Sequence, residues 1–254
     1  MKSIFAKTIV LLVIGMGSLI TPVQAIINME DQRIAEPADG VSGYLRPNIS
    51  GMQGNVEQEG WGVSAKLDLY KDGITYFIVT DVQDNETFGN KTADSLTTHL
   101  RNIRQWTPKV AWEGFVQYER DNVKRLNKRV LVGTDGRFTL AKEENKIESY
   151  LGVGAFYFDE KLDGDEDDDG VRISTYFTYK HNINENLSVA NTLYFQPKVD
   201  DMADLRILNH LTMQVKMTAS MSLTSGLDFL HESEPAFGVE ETDWIYRSGI
   251  QYNF

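Results

Sequence analysis

The chain has 254 residues, with 37 acidic against 25 basic side chains, a net charge of −12 and no cysteine. So acidic a chain is a poor ligand for nucleic acid, because the phosphate backbone repels it. The missing cysteines exclude a disulfide scaffold and a thiolate metal site. With 6 prolines, 11 tyrosines and 12 phenylalanines, the composition favours strands over helices.

The first 25 residues have the composition of a secretory signal peptide. Lys2 and Lys7 give a positive start, residues 9–20 form an apolar run, and small residues lead up to Ala25. The apolar run is too short to cross a membrane as a helix. We therefore expect export of the protein and cleavage after Ala25.

Residues 26–40 are mixed and turn-rich, which predicts a periplasmic lead-in. The rest of the chain, residues 41–254, divides into about twelve segments with the length and alternation of membrane-crossing strands. The segments begin near Val41, Trp61, Ile74, Lys91, Lys109, Lys128, Ile147, Val171, Asn186, Leu205, Met221 and Thr242. Because lipid leaves open strand edges without partners, such strands must close. The sequence therefore predicts an all-β antiparallel transmembrane β-barrel of about twelve strands.

Several segments show an apolar and a polar face with period two. In the segment that begins at Leu205, Leu211 and Met213 alternate with His210 and Thr212. The Lys91 segment alternates least, and the faces of the Ile147 segment do not separate into an inside and an outside.

The connections between segments alternate in length as well. Short turns are predicted at residues 71–73, 106–108, 144–145, 182–184 and 218–220. Longer links are predicted at residues 84–90, 121–127, 159–170, 198–204 and 232–241. Short periplasmic turns alternating with longer outer loops are typical of an outer-membrane barrel. A soluble periplasmic β-sandwich is the alternative, but it gives no reason for this alternation.

The last strand carries the clearest membrane signature. Trp244, Tyr246, Ile250 and Tyr252 share one face, and the chain ends on Phe254. A C-terminal aromatic residue resembles the insertion signal of outer-membrane barrels. We therefore expect barrel-assembly machinery to bind through this residue, and outer-membrane lipids and lipopolysaccharide to surround the barrel. Tryptophans also lie near predicted strand ends, where interfacial girdles form: Trp61, Trp106, Trp112 and Trp244.

Three stretches resemble a named family. They are residues 27–30, 129–133 and, above all, 150–161 with the sequence YLGVGAFYFDEK. They are similar to the salt-induced outer-membrane proteins, whose shared domain has no known function. The resemblance implies an outer-membrane barrel, but it brings no established activity and no catalytic residues.

The densest charge cluster lies at residues 163–170, in a predicted outer loop. Its aspartates copy the first half of a helix-loop-helix calcium site, but the closing glutamate would fall at Tyr176 in a strand. The candidate ligands for weakly bound divalent cations, shared with lipopolysaccharide phosphates, are Asp163, Asp165, Asp167 and Asp169. A plain solvated outer loop is the favoured interpretation, and the divalent site is the alternative.

The polar faces of the strands carry both signs of charge into the predicted lumen. The basic residues are Lys66, Arg101, Arg129, Arg137, Arg172, Lys180, Arg206, Lys216 and Arg247, and the acidic residues are Asp68, Glu113, Glu119, Asp135, Asp228 and Asp243. Interleaved signs in a narrow barrel favour pairing over a water-filled pore, because unpaired confined charges lose hydration.

The outer rim is predicted to be acidic, which would attract cations and repel anions. Its acidic residues are Glu57, Glu59, Asp200, Asp201, Asp204, Glu232, Glu234, Glu240 and Glu241.

One histidine–aspartate pair is predicted in the lumen. If the turn near Ala219 is tight, His210 faces Asp228 across a hairpin. Such a pair resembles the dyads of outer-membrane proteases, but their second pair of aspartates has no match here. A structural hydrogen bond is therefore favoured over catalysis.

The sequence thus predicts an outer-membrane barrel that is not an enzyme and carries no cofactor. The favoured role is a narrow or closed barrel serving envelope integrity or the response to salt and osmotic stress. The alternatives are a channel for small solutes or cations, and an outer-membrane hydrolase using the His–Asp pair.

Overall fold

The computed structural model describes residues 40–53, 57–143, 146–164 and 167–253. They form a closed barrel in which each antiparallel strand pairs with its neighbours in the chain and β1 pairs with β12. The strands are β1 (Gly40–Met52), β2 (Gln58–Lys71), β3 (Ile74–Thr87), β4 (Asn90–Thr107), β5 (Val110–Asp121), β6 (Leu126–Glu143), β7 (Ile147–Leu162), β8 (Asp167–Asn182), β9 (Leu187–Pro197), β10 (Leu205–Lys216), β11 (Met221–Glu232) and β12 (Thr242–Asn253). The predicted twelve-strand barrel is confirmed.

The predicted signal peptide and Phe254 lie outside the described residues, as does the lead-in apart from Gly40, where β1 begins. In the described part of the chain, no helix is long and apolar enough to cross a membrane.

The outer face of the barrel is apolar. Side chains such as Leu100, Val116 and Leu211 alternate with buried polar residues and are exposed on the outside. The aromatic face predicted for β12 also points outward. All four tryptophans are exposed near strand ends: Trp61, Trp106, Trp112 and Trp244.

The periplasmic turns match the prediction better than the outer links. Between β2 and β3, Asp72 and Gly73 have φ angles of 52° and 76°, which is the geometry of a tight hairpin turn. On the outer side, the link predicted over residues 84–90 is wrong: both strands continue, and only Phe88 and Gly89 separate them.

The acidic link predicted at residues 159–170 is also shorter in the structure, because β7 runs to Leu162 and β8 begins at Asp167. Charged residues in these segments continue the wall instead of forming loops. For example, Lys161 and Asp167 face each other in the ladder and form an ion pair of 3.1 Å. The longer links that remain are residues 198–204 and 233–241.

The strands differ in length around the barrel. β4 and β6 each span 18 residues, whereas β9 spans 11 and β10, β11 and β12 span 12 each. The wall is therefore uneven in height.

Candidate functional site in the barrel lumen

Most of the charged residues predicted to face the lumen are buried there. The buried basic residues are Lys66, Arg101, Arg129, Arg137, Arg172 and Arg206, and the buried acidic residues are Asp68, Glu113, Glu119, Asp135 and Asp228. Lys180 and Asp243 are half-buried, Lys216 is exposed at its strand end, and the side chain of Arg247 lies outside the described residues. The lumen is thus crossed by charges of both signs.

An outer layer of ion pairs spans the barrel. Arg129 on β6 lies 2.6 Å from Glu160 and 3.2 Å from Glu119. Arg206 on β10 contacts the same Glu160 at 3.0 Å and Glu232 on β11 at 3.1 Å. Since Arg129 also lies 3.6 Å from Glu232, the network joins nearly opposite walls. The predicted pairing is confirmed in this layer.

Glu113 on β5 is the centre of a second, deeper layer. Its carboxylate accepts hydrogen bonds from Arg101 at 2.9 Å and from the hydroxyl of Tyr176 on β8 at 3.1 Å. The guanidinium of Arg137 lies 3.8 Å away and stacks on the ring of Tyr150. The Glu113 side chain is fully buried, so the removal of these partners would leave a charge without solvent.

Apolar and aromatic side chains fill the space between these polar layers. Tyr176 and Tyr194 pack with Leu208 and Leu230, with Ile245 of β12 against them. A second cluster comprises Phe115, Leu131, Phe156 and Phe158, and a third Phe77, Val79, Ile103 and Ala111. The described interior of β4 to β11, together with the periplasmic half of β3, is therefore a packed core.

The sequence prediction missed this core because it assigned apolar residues to the outside. In β7, Phe156 and Phe158 point inward and Tyr157 points outward, which settles the face that the sequence left open. Inward glycines make room for the rings: a Cβ at Gly152 would overlap the ring of Tyr176. In the sequence, the signal that could have revealed these inward rings was the set of glycines in β7, because an inward glycine leaves room for an aromatic side chain on the neighbouring strand.

The connection between β11 and β12 contacts the opposite side of the mouth. The backbone oxygen of Phe237 accepts a hydrogen bond of 3.1 Å from Arg125, in the connection between β5 and β6. Next to it, Lys124 and Asp243 form an ion pair of 3.4 Å. This loop therefore covers the outer ion-pair layer.

The outer half of the lumen beside β1, β2 and β3 is less tightly filled. Inward side chains such as Arg46, Asp81 and Gln83 are partly exposed, and Asn48 is exposed. Nearer the periplasmic end, Tyr44 is buried. This side of the lumen is therefore a polar vestibule that is open toward the outside and closed at the level of Tyr44.

The predicted His–Asp pair is present. His210 and Asp228 face each other in the ladder, and their side chains approach to 2.5 Å. The ring of Tyr194 meets His210 edge-on. Both members of the pair are buried in the packed half of the lumen, an environment suited to a structural hydrogen bond.

The acidic cluster is spread along the wall. Asp163 is exposed, Asp165 lies outside the described residues, and Asp169 accepts a hydrogen bond from Tyr157. Asp168 instead pairs with Lys198 at 2.7 Å, and this hydrogen bond raises the pKa of the lysine. Among the described residues no group of three or more potential ligands is placed to hold a metal ion. With Asp165 undescribed, the divalent site stays a prediction.

Two residues assigned to the acidic rim belong to the lumen instead. Asp204 is buried and forms an ion pair of 2.6 Å with Arg172, while Glu232 pairs with Arg206. The prediction was wrong for these two because strand ends and loop residues fold back over the barrel mouth.

The sequence matches a family of proteins of unknown function, DUF481, over residues 49–254. The chain belongs to this family. The family description carries no activity, so the salt-related name suggested by the sequence is not confirmed. No curated protein matches the chain.

Solved structures with a similar fold are outer-membrane barrels. The NanC porin is 11% identical with a TM-score of 0.54, and the match covers 83% of this chain and 98% of the porin. The translocator domain of the autotransporter NalP from Neisseria meningitidis is 12% identical with a TM-score of 0.53, covering 89% and 92%. The KdgM porin is 9% identical with a TM-score of 0.48, covering 85% and 99%. At these identities the likeness shows the fold alone.

Proposed function

We propose that this protein is an integral outer-membrane barrel with a closed lumen that serves envelope integrity, including under salt and osmotic stress. The observation that carries the proposal is the double ion-pair layer of Arg129, Arg206 and Glu113, with aromatic residues packed between. A water-filled pore wide enough for solutes would require these side chains to separate.

Conductance in a planar bilayer tests the closed lumen. We expect no single-channel current from the folded protein, while a general porin in the same bilayer conducts and serves as the positive control. A reproducible, charge-selective current from the wild-type protein would contradict a closed barrel.

A second candidate function is a narrow cation-preferring channel. The vestibule beside β1 to β3 favours it, because the partly exposed Asp81 and Gln83 offer a polar path next to the packed half. If the protein is such a channel, Asp81→Asn should lower the cation preference of the current measured in a planar bilayer. If the barrel is closed, neither the wild type nor the variant should conduct.

Cellular tests address the envelope role separately. If the barrel stabilises the envelope, cells without it should lose viability after an osmotic upshift, and the wild-type gene should restore survival. Equal survival of both strains would leave the closed barrel intact as a structure but remove this role.

A further inference from the structure

The seam between β1 and β12 differs from the other strand junctions of the barrel. Among the described residues its ladder joins Tyr44 to Asn253 and Leu45 to Tyr252. The ladder on the other side of β1 runs the whole length of that strand, and the ladder between β11 and β12 covers nearly all of β12. Pairing at the seam is therefore confined to its periplasmic end.

The exposure of outward side chains along the seam shows the same division. Next to the ladder, Leu45 is 46% exposed and Tyr252 51%. Toward the outer end, Ile49 is 88% and Tyr246 73% exposed. Neighbouring side chains on a paired strand normally cover each other. The additional exposure indicates that β1 and β12 diverge in their outer halves.

Polar side chains line the lumen side of this divergence. Arg46 donates a hydrogen bond of 2.5 Å across the seam to Gln251, and its Nε is buried without a partner in the described chain. One step farther out, the amides of Asn48 and Gln83 converge over Gly62, where a Cβ would lie 2.5 Å from an oxygen of each.

A molecule that occupies this seam must satisfy strand edges that face the membrane, which hydrocarbon chains alone cannot do. Another β-strand fits poorly, since Pro47 in β1 has no N–H to donate and proline in a strand typically blocks pairing on that edge. Hydroxyl and phosphate oxygens, by contrast, can accept from Arg46 and exchange hydrogen bonds with Asn48 and Gln83.

We propose that the outer half of the β1–β12 seam binds an outer-leaflet lipid laterally. Its sugar-phosphate headgroup would lie against Arg46, Asn48 and Gln83, with its acyl chains extending toward the membrane midplane over the outward side chains of Leu45 and Ile250. The site lies in the wall of the barrel, so it does not depend on whether the lumen conducts.

The divergence of the strands is tested by disulfide crosslinking in this cysteine-free chain. The register of the ladder places Ile49 opposite Ser248, four residues beyond the paired Leu45 and Tyr252. We expect Leu45→Cys with Tyr252→Cys to crosslink under a mild oxidant, and Ile49→Cys with Ser248→Cys to give at least fivefold less intramolecular product. Equal yields would overturn the proposal.

Lipid binding is tested by native mass spectrometry of the folded barrel in micelles containing purified lipopolysaccharide. We expect a bound lipid in the wild type and at least fivefold less in the double variant Arg46→Ala, Asn48→Ala. The matched control is Arg104→Ala, which removes an exposed arginine at the other end of the wall. Heat-modifiable migration in electrophoresis verifies that each variant is folded.

Three results would overturn the lipid site. They are equal lipid binding by the double variant, no lipid bound to the wild type, and binding of phosphatidylethanolamine at the level of lipopolysaccharide. Dimers that form by disulfide bonds between the Ile49→Cys residues of two copies would show that the outer half of the seam binds a second copy of the protein. This result would also overturn the lipid site.

Discussion

The wall from β4 to β11 and the wall around β1 and β12 follow the same alternating pattern, yet they fill the lumen differently. In the packed half, inward rings such as Tyr176 and Phe156 lie against glycines and buried carboxylates. Near the seam, Arg46 and Gln251 meet just beyond the outer end of the short ladder between β1 and β12. Alternation therefore builds the wall, whereas the size of the inward side chains decides whether a barrel also has a core.

Removal of Glu113 should have the largest effect on stability if the packed half is a true core. Glu113→Ala leaves the buried Arg101 and Arg137 with less compensation, and we expect a loss of about 3–5 kcal/mol in the free energy of unfolding. The measurement is the urea midpoint of the barrel in detergent or lipid.

Two further variants sharpen this result. Glu143→Ala, which removes an exposed glutamate near Lys146, should leave the midpoint almost unchanged. Glu113→Gln keeps hydrogen-bond acceptors and should lie between the two. A midpoint for Glu113→Ala equal to that of Glu143→Ala would mean that water reaches this layer.

Glycine substitutions compare the two regions directly. A Cβ at Gly152 would overlap the Tyr176 ring, so Gly152→Ala should cost about 1–3 kcal/mol through overpacking. Gly249 on β12 has open space within 4 Å, and Gly249→Ala should be close to neutral. Equal effects at both positions would show that the seam is as tightly filled as the core.

The smallest effect is expected outside the barrel. Lys128 and Asp159 form a half-buried ion pair of 2.8 Å near the outer ends of β6 and β7. Because solvent screens such pairs, Lys128→Ala should change the free energy of unfolding by about 0–1 kcal/mol. A larger loss, measured by the same urea titration, would place this pair in an environment with little water.

The fold was largely predictable because lipid imposes a strict two-residue period on spanning strands. The register of β10 and β11 followed from a single tight turn, which placed His210 opposite Asp228 as observed. The inward orientation of Arg129 and Glu113 followed from the cost of charges facing lipid.

The packing of the interior was less predictable, because an alternating pattern of apolar and polar residues assigns every apolar side chain to the lipid-facing side. Phe158 and Leu208 obey the same period but lie inside, and only contacts between distant strands reveal this. The partners of Arg206 come from β7 and β11, so no local pattern could have identified them. The strand extension past Asp84 was missed because charged residues there resembled a loop.

The uneven strand lengths have a consequence for the neighbourhood of the protein. Seven residues separate β4 from β9 in length, or roughly 23 Å measured along a strand. Part of this extra length lies at the outer end: β4 pairs with β5 only from Ser95 onward, so the hairpin of β3 and β4 extends outward beyond β5. A large particle that settles on the cell surface, such as a phage or an antibody, would meet this hairpin before it reached the outer end of β5.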